Sequence, residues 1–315
     1  SFPSYSEWGA KQGACTPQGL KLARDVGALL PSVLGLSRGR VISDTVGRCK
    51  DTAVALGLNS TAVELNQALF DPLSAKVPGC SQPDWQGVLE AQVAKAEPEL
   101  RRARTMLPRL QALLGKGVAP PLEQIPDDVS GGYFVGGLRT ASESIVETFQ
   151  LERTSSMPTA WGQLTASGLT ELSQLRSTYF SAMYGGRGIA QRYASGILAT
   201  LLKLSSSATT VLLGHDLNLE GVRSLLGLEW QCGPWPANAL PPLSGVHFTL
   251  TGGSVRAQVV CPSLEETSPL AVGKVTFADG KSELPESEFS SLSQSAIHWP
   301  CTNSSSPEAS PIIIM

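Results

Sequence analysis

The chain has 315 residues and a mass of 33.2 kDa. Its 42% apolar and 16% charged residues exclude an intrinsically disordered polypeptide and allow two domains or one large domain carrying an insertion. With 24 Lys plus Arg against 27 Asp plus Glu and a net charge of -3, it has no global basic field for nucleic acid, so any anion it binds must meet a local site. No apolar run reaches the length of a membrane-spanning helix.

The chain opens Ser1-Phe2-Pro3 with neither an initiator Met nor a basic-then-apolar leader, which leaves a removed signal peptide or a cut N-terminus as the two readings. Residues 13–30 predict a helix: Thr16 is placed to cap it, Pro17 suits its first position, and Leu20, Ala23, Gly27 and Leu30 recur at helical spacing up to a turn at Pro31. Val41-Ile42-Ser43-Asp44 predicts a short strand, with Arg48 just beyond its end and helical character resuming at Thr52. A second short strand is expected at 62–65. Residues 84–116 predict one long amphipathic helix, with Leu107, Leu110, Leu113 and Leu114 on a stripe and Arg101, Arg102 and Arg104 on a charged face that reads as solvated. A Pro/Gly-rich connector follows over 117–137, interrupted by Tyr133-Phe134-Val135, and its glycine pairs read as turns. Helical patterns return at 142–152 and 170–179.

The clearest unit runs from Arg187 to Leu226. Ile189, Tyr193, Ile197, Leu198, Leu201 and Leu202 mark a core-facing helix, Ser205 to Ser207 a polar turn, and Thr209 to Leu213 a buried parallel strand ending at Gly214. His215 and Asp216 come next, and a helix bearing Leu219, Val222, Leu225 and Leu226 starts within a few residues. That order puts the pair at the carboxyl edge of the sheet, where open α/β folds bind ligands. Residues 246–251 and 255–260 predict a hairpin around Gly252-Gly253. The last dozen residues are Ser/Pro-rich and read as frayed, with Ile312 to Ile314 able to dock elsewhere.

Three histidines are present. His247 falls in the hairpin and His298 beside Trp299, both in structural contexts. An imidazole at the position of His215 can hydrogen-bond an anionic oxygen, while the adjacent carboxyl of Asp216 can hold a proton for a leaving group. Taken alone, the pair reads equally as a polar strand end. The Arg48 guanidinium offers a planar fork matched to phosphate oxygens, although by itself it reads as a surface arginine after a turn. No CxxC, Cys/His cluster, HExxH, GxSxG or phosphate-loop motif occurs. The six cysteines, Cys15, Cys49, Cys80, Cys232, Cys261 and Cys301, fit disulfides or buried thiols about equally well. The sequons at Asn59 and Asn303 matter only in a eukaryotic secretory pathway.

Several segments together resemble the histidine acid phosphatases, particularly their bacterial phytase and glucose-1-phosphatase branch. Gly214-His215-Asp216-Leu217-Asn218, with Leu228-Glu229-Trp230 beyond it, resembles the family's G-H-D-x-N block, helix and L-x-W. Thr16-Pro17-Gln18-Gly19 resembles its T-P-x-G helix start, Asp44 to Thr52 its D-x-x-x-R-x-x-x-T segment, and Phe70-Asp71-Pro72-Leu73 its F-x-P-L element. Glu147-Thr148-Phe149, Met157-Pro158 and Trp161-Gly162 follow in the family's order, so the likeness runs from about residue 7 to residue 301.

The resemblance implies an α/β fold in which a mixed central sheet flanked by helices (1–80 and 182–315) carries an inserted helical cap domain (81–181). It implies acid phosphomonoester hydrolysis through a phosphohistidine, with phytate or a sugar phosphate as the small-molecule partner, no metal or other cofactor, no nucleic acid, no membrane, and a periplasmic or secreted location. Arg48 and His215 would bind phosphate, Asp216 would be the catalytic acid, Glu147 would line the substrate site, and Cys80 would pair with Cys301. Cys232 and Cys261 could pair across the hairpin region or remain thiols. In the family the nucleophile is the His of an R-H-G-x-R-x-P motif at the end of the first sheet strand, upstream of the T-P-x-G helix. These 315 residues contain no Arg-His pair. The resemblance therefore implies a sheet short of its central strand and a chain inactive by itself, whose alternative role is that of a non-catalytic phosphoryl-ligand binder.

Overall fold

The computed structural model describes residues 4–36, 39–58, 63–81, 84–115, 120–203, 209–264, 268–302 and 312–315; both sequons and the turn at 205–207 lie outside them. The strands are β1 (Arg40–Ser43), β2 (Val63–Leu65), β3 (Asp128–Ser130), β4 (Tyr133–Val135), β5 (Thr210–Leu213), β6 (Glu229–Gln231), β7 (Gly245–Thr251), β8 (Ser254–Pro262), β9 (Leu270–Thr276), β10 (Glu283–Pro285) and β11 (Ile312–Ile314). Among the described residues, nine of them form one mixed sheet in the order β2-β1-β5-β11-β7-β8-β9-β6, with β10 on β8. β2, β1, β5 and β11 run parallel, whereas β7, β8, β9 and β6 pair antiparallel, β6 joining at β9.

The parallel strands are short apolar runs because both of their faces are covered. Successive side chains alternate across the sheet. Ile42, Leu212, Ile312 and Ile314 join the large core shared with the helices Ala166–Tyr184 and Arg187–Leu201. Val41, Val211, Leu213, Ile313 and Met315 pack instead with Val26 and Leu30 of the helix Pro17–Leu34 and with Ala53 and Leu56 of the helix Gly47–Leu56.

No gap opens in the sheet where a central strand was expected to be lacking. β11 fills it, parallel to β5 on one side and antiparallel to β7 on the other. The isoleucine run therefore does not fray: Ile312, Ile313 and Ile314 are all fully buried, and their burial on two faces outweighs the cost of ordering three residues.

Two local expectations are corrected, and the turn expected at Gly131-Gly132 is found. The first helix does not stop at Pro31 but continues to Leu34 and ends at Gly35, since Leu30 and Leu34 extend the buried stripe past the missing N–H. The long helix over 84–116 is two helices, Trp85–Arg104 and Leu107–Leu114, because Pro108 has no N–H for the Arg104 carbonyl and starts a new first turn instead. The connector contains a hairpin of β3 and β4, turned by Gly131 and Gly132 at positive φ. Cys80–Cys301 and Cys232–Cys261 are disulfides, while Cys15 and Cys49 are free thiols.

Candidate active site

β5 delivers its last residues into a turn that has no room for side chains at its start. A Cβ on Gly214 would lie 2.5 Å from Asn218 Oδ1 and 2.5 Å from Phe70 Cδ1, so only glycine lets the chain pass. Asn218, fully buried, locks the backbone of the turn. Its Oδ1 accepts the His215 N–H at 2.8 Å, and its Nδ2 donates to the carbonyls of Phe70 (2.7 Å) and Tyr193 (2.8 Å). Asn218 and Phe70, each part of a segment that resembles the phosphatase family, thus hold the turn from behind and leave the His215 ring facing forward.

β1 supplies the groups around that ring. Asp44, at the strand's end and 2% exposed, meets His215 Nε2 at 2.7 Å through Oδ2 and accepts the Thr45 N–H at 2.6 Å through Oδ1. Arg48 lies in the first turn of the helix Gly47–Leu56, not in a loop before it, and its Nη2 is 3.2 Å from His215 Nδ1. Cys49 Sγ donates to the Gly214 carbonyl at 3.4 Å and closes the side of the ring.

The two polar partners of His215 favour different protonation states. A neutral ring donates from Nε2 to Asp44 and accepts from Arg48 at Nδ1. A charged ring has no acceptor left for Arg48. Burial works against the charge, but the bond to Asp44 prevails and raises the pKa to about 9. Burial likewise pushes the Asp44 carboxyl up, and the bonds from His215 and the Thr45 backbone more than offset it, holding the group below its ordinary range. Asp44 outweighs Arg48 because it is nearly inaccessible to water whereas Arg48 is exposed. In the protonated ring favoured by Asp44, the Nδ1–H and the Arg48 guanidinium turn donors toward one space, where an acceptor anion would satisfy both.

Asp216, the next residue, opens the helix Asp216–Leu226. Its Oδ1 accepts the Leu217 N–H at 2.9 Å and its Oδ2 accepts Arg176 Nη2 at 2.6 Å. Arg176, with a side chain 6% exposed, packs over the Phe180 ring at 4.1 Å and lies 3.6 Å from Glu147 Oε2. Glu147 starts the helix Glu147–Thr154 directly after the π-helical turn Thr140–Val146, an irregularity common at functional sites. Burial pushes the Glu147 carboxyl up against the pull of Arg176.

Arg48 and His215 are therefore in direct contact, and Asp216 and Glu147 are joined through Arg176. His247 and His298 take no part: His247 is buried in β7 with burial holding its pKa down at about 4, and His298 donates its backbone N–H to Ser195. Sequence reading gave no role to Asp44 or Arg176. A carboxylate ending β1 could have been paired with a histidine ending the neighbouring strand. Arg176 is marked by its place among Leu172, Leu175, Tyr179 and Phe180 on the apolar face of its helix.

No protein-family model matches the sequence, and no curated protein matches it either. The structure is similar to the phytase from Citrobacter braakii, with a TM-score of 0.78 and 21% identity over 96% of this chain and 92% of that one. It is also similar to Hafnia alvei phytase in complex with myo-inositol hexakis sulphate (TM-score 0.79, 22% identity, 96% and 91% covered) and to the phytase of Klebsiella sp. ASR1 (0.75, 19%, 95% and 90%). The chain shares the fold of the bacterial phytases over nearly its whole length, in agreement with the mixed α/β architecture expected from the sequence.

Proposed function

We propose that the crevice at the carboxyl edge of β1 and β5 binds the phosphoryl group of a small phosphomonoester, phytate or a sugar phosphate, and that the polypeptide bearing it is an acid phosphatase acting through a phosphohistidine. The observation that carries this reading is the contact of Arg48 Nη2 with His215 Nδ1 at 3.2 Å above the buried Asp44, a guanidinium and an imidazole brought side by side at one sheet edge. The sulphated inositol bound by the Hafnia alvei phytase, a polyanion on the same fold, supports the substrate class. Two disulfides support a periplasmic or secreted home, where such bonds persist.

In this mechanism an imidazole nitrogen of a histidine outside these 315 residues attacks phosphorus. An N–P bond forms as the P–O bond to the leaving group breaks. Arg48 and His215 hold the equatorial oxygens, whose charge dominates the energetics of phosphoryl transfer. Asp216 gives its proton to the departing alkoxide and later takes one from the water that splits the N–P bond. Both Asp216 oxygens are engaged here, so this role requires Arg176 to yield Oδ2 when substrate enters. The helices that carry Glu147 and Arg176, within 81–181, act in this reading as a cap that closes over the leaving group.

A non-catalytic phosphoryl binder is the second reading, favoured by the lack of any Arg-His pair in these residues. Titration calorimetry with inorganic phosphate tests what both readings share. Binding should weaken about tenfold or more in Arg48→Ala, the size of a lost charge-assisted bond; a wild-type chain that takes up no phosphate overturns both. Asp216→Asn, made in a polypeptide that also carries the nucleophile, separates them. Turnover is lost with phosphate affinity kept if the protein is an enzyme, and there is no turnover to lose if it is a binder.

A further inference from the structure

Four of the six cysteines are closed into disulfides, and the two that remain thiols, Cys15 and Cys49, both meet the helix Gly47–Leu56 that carries Arg48. Cys15 Sγ donates to the Arg48 carbonyl at 3.4 Å and accepts from the Thr52 hydroxyl at 3.6 Å. Cys49 Sγ, besides its bond to the Gly214 carbonyl, rests against the His215 ring, 4.0 Å from Nδ1 and 3.9 Å from Nε2. Neither thiol enters the phosphoryl chemistry. The Arg48 carbonyl belongs to the peptide that joins Arg48 to Cys49, so ordinary backbone dimensions put Cys15 Sγ within about 6 Å of the Cys49 Cα. A disulfide needs Cα atoms about 4.4 to 6.8 Å apart, a span that this contact allows. Cys15 is half-buried and open to a reagent, whereas Cys49 is buried.

We propose that Cys15 and Cys49 are a redox modification site that governs the crevice: a small disulfide such as oxidised glutathione joins them, and a small thiol parts them. The Cys15 thiolate attacks one sulfur of the small disulfide, whose S–S bond breaks, and the first small thiolate leaves and takes up the proton that Cys15 gave. The Cys49 thiolate then attacks the Cys15 sulfur, the bond between them forms, and the second small thiolate leaves and takes up the proton of Cys49. Two protein thiols are oxidised and one small disulfide is reduced to two thiols. In the joined state Cys49 has left the His215 ring and the Gly214 carbonyl, and the helical turn that sets Arg48 beside Nδ1 is drawn toward Cys15. The two groups that face the anion are thereby parted. The linkage needs no assumption about function, while its effect on phosphate rests on the phosphoryl-binding reading. Burial pushes the Cys15 thiol up, and Asp51 and Cys49 add to it against the Thr52 bond, so the reaction gains as pH rises and the crevice stays open in acid.

The full chain, its two disulfides intact, is treated with oxidised glutathione at mildly alkaline pH. Both free thiols should disappear, the intact mass should fall by that of two hydrogen atoms, and a digest should contain Cys15 linked to Cys49. The His215 ring resonance, identified by its loss in His215→Ala, should shift. Affinity for inorganic phosphate, measured by titration calorimetry, should fall about tenfold or more, the size of a lost charge-assisted bond, and reduced glutathione should restore it. Cys15→Ser, which cannot close the link, should keep the resonance and the affinity of the reduced protein under the same treatment. A glutathione adduct that persists on Cys15, or two thiols that stay free, overturns the proposal. So does a link that leaves the His215 resonance unmoved or, where phosphate binds, the affinity unchanged. A link that shifts His215 in a chain taking up no phosphate in either state upholds the redox site and overturns the phosphoryl-binding reading.

Discussion

A carboxylate 2% exposed to water, 2.7 Å from Nε2, favours the protonated form of His215. A histidine pKa raised from 6.5 to about 9 stabilises the fold fully below pH 6.5, and that contribution is lost as pH rises through 9. Asp44 works in the opposite direction: its depressed pKa stabilises above pH 3.8, and the benefit disappears as pH falls through the lowered value. Melting temperatures of the wild type and His215→Asn should therefore differ most from about pH 5 to 6.5 and converge toward pH 9 and above. A gap that stays constant over that range would show that the pair does not titrate in this way. His215 was legible because few histidines exist and this one follows a buried strand. Asp44 was not, since a carboxylate at a strand end is commonplace and gains its role only once β1 is seen to pair with β5. Arg176 escaped for a related reason: an arginine on an apolar helical face becomes informative only when its partners, Asp216 and Glu147, arrive from other elements.

At the level of elements, β11 presents three isoleucines to two cores. Ile312 and Ile314 face the larger and Ile313 the smaller, between Val211 and the helix Pro17–Leu34. Ile313→Ala should cost about 2 to 5 kcal/mol in urea unfolding, the range for emptying a fully buried aliphatic site, and Ile313→Val only about 0.5 to 1.5. A loss below about 0.5 kcal/mol for the alanine variant would mean that the strand contributes little to the sheet. Three apolar residues after a Ser/Pro-rich stretch carry no periodicity, so sequence could place neither their partners nor their direction. The strand-turn-helix grammar around β1 and β5 was readable because each strand is flanked by helices with a clear 3.6-residue stripe. Pro31 misled for a physical reason: a proline's local cost was visible, whereas the burial of Leu30 and Leu34 that offsets it depends on what the helix packs against.

For the molecule as a whole, the two disulfides close loops of very different length, with sequence separations of 221 and 29 residues. In the chain-entropy account the longer closure stabilises by about 5 kcal/mol and the shorter by about 4. Cys301→Ser should thus shift the guanidinium midpoint at least as far as Cys232→Ser. A smaller shift for Cys301→Ser would locate the tether's main effect in something other than the unfolded chain. Cys301 is also the last described residue but one before β11, so the Cys80 link ties the chain to the body of the protein at that point. Among the described residues the parallel and antiparallel halves of the sheet meet only at β11, since β5 and β7 are each bonded to it and not to each other. A molecule in which those three isoleucines have yet to dock exposes two open strand edges at its centre, each able to template pairing with another copy. The refolding yield of this chain is therefore governed by competition between a short intramolecular strand and intermolecular edge pairing, and should fall steeply with protein concentration.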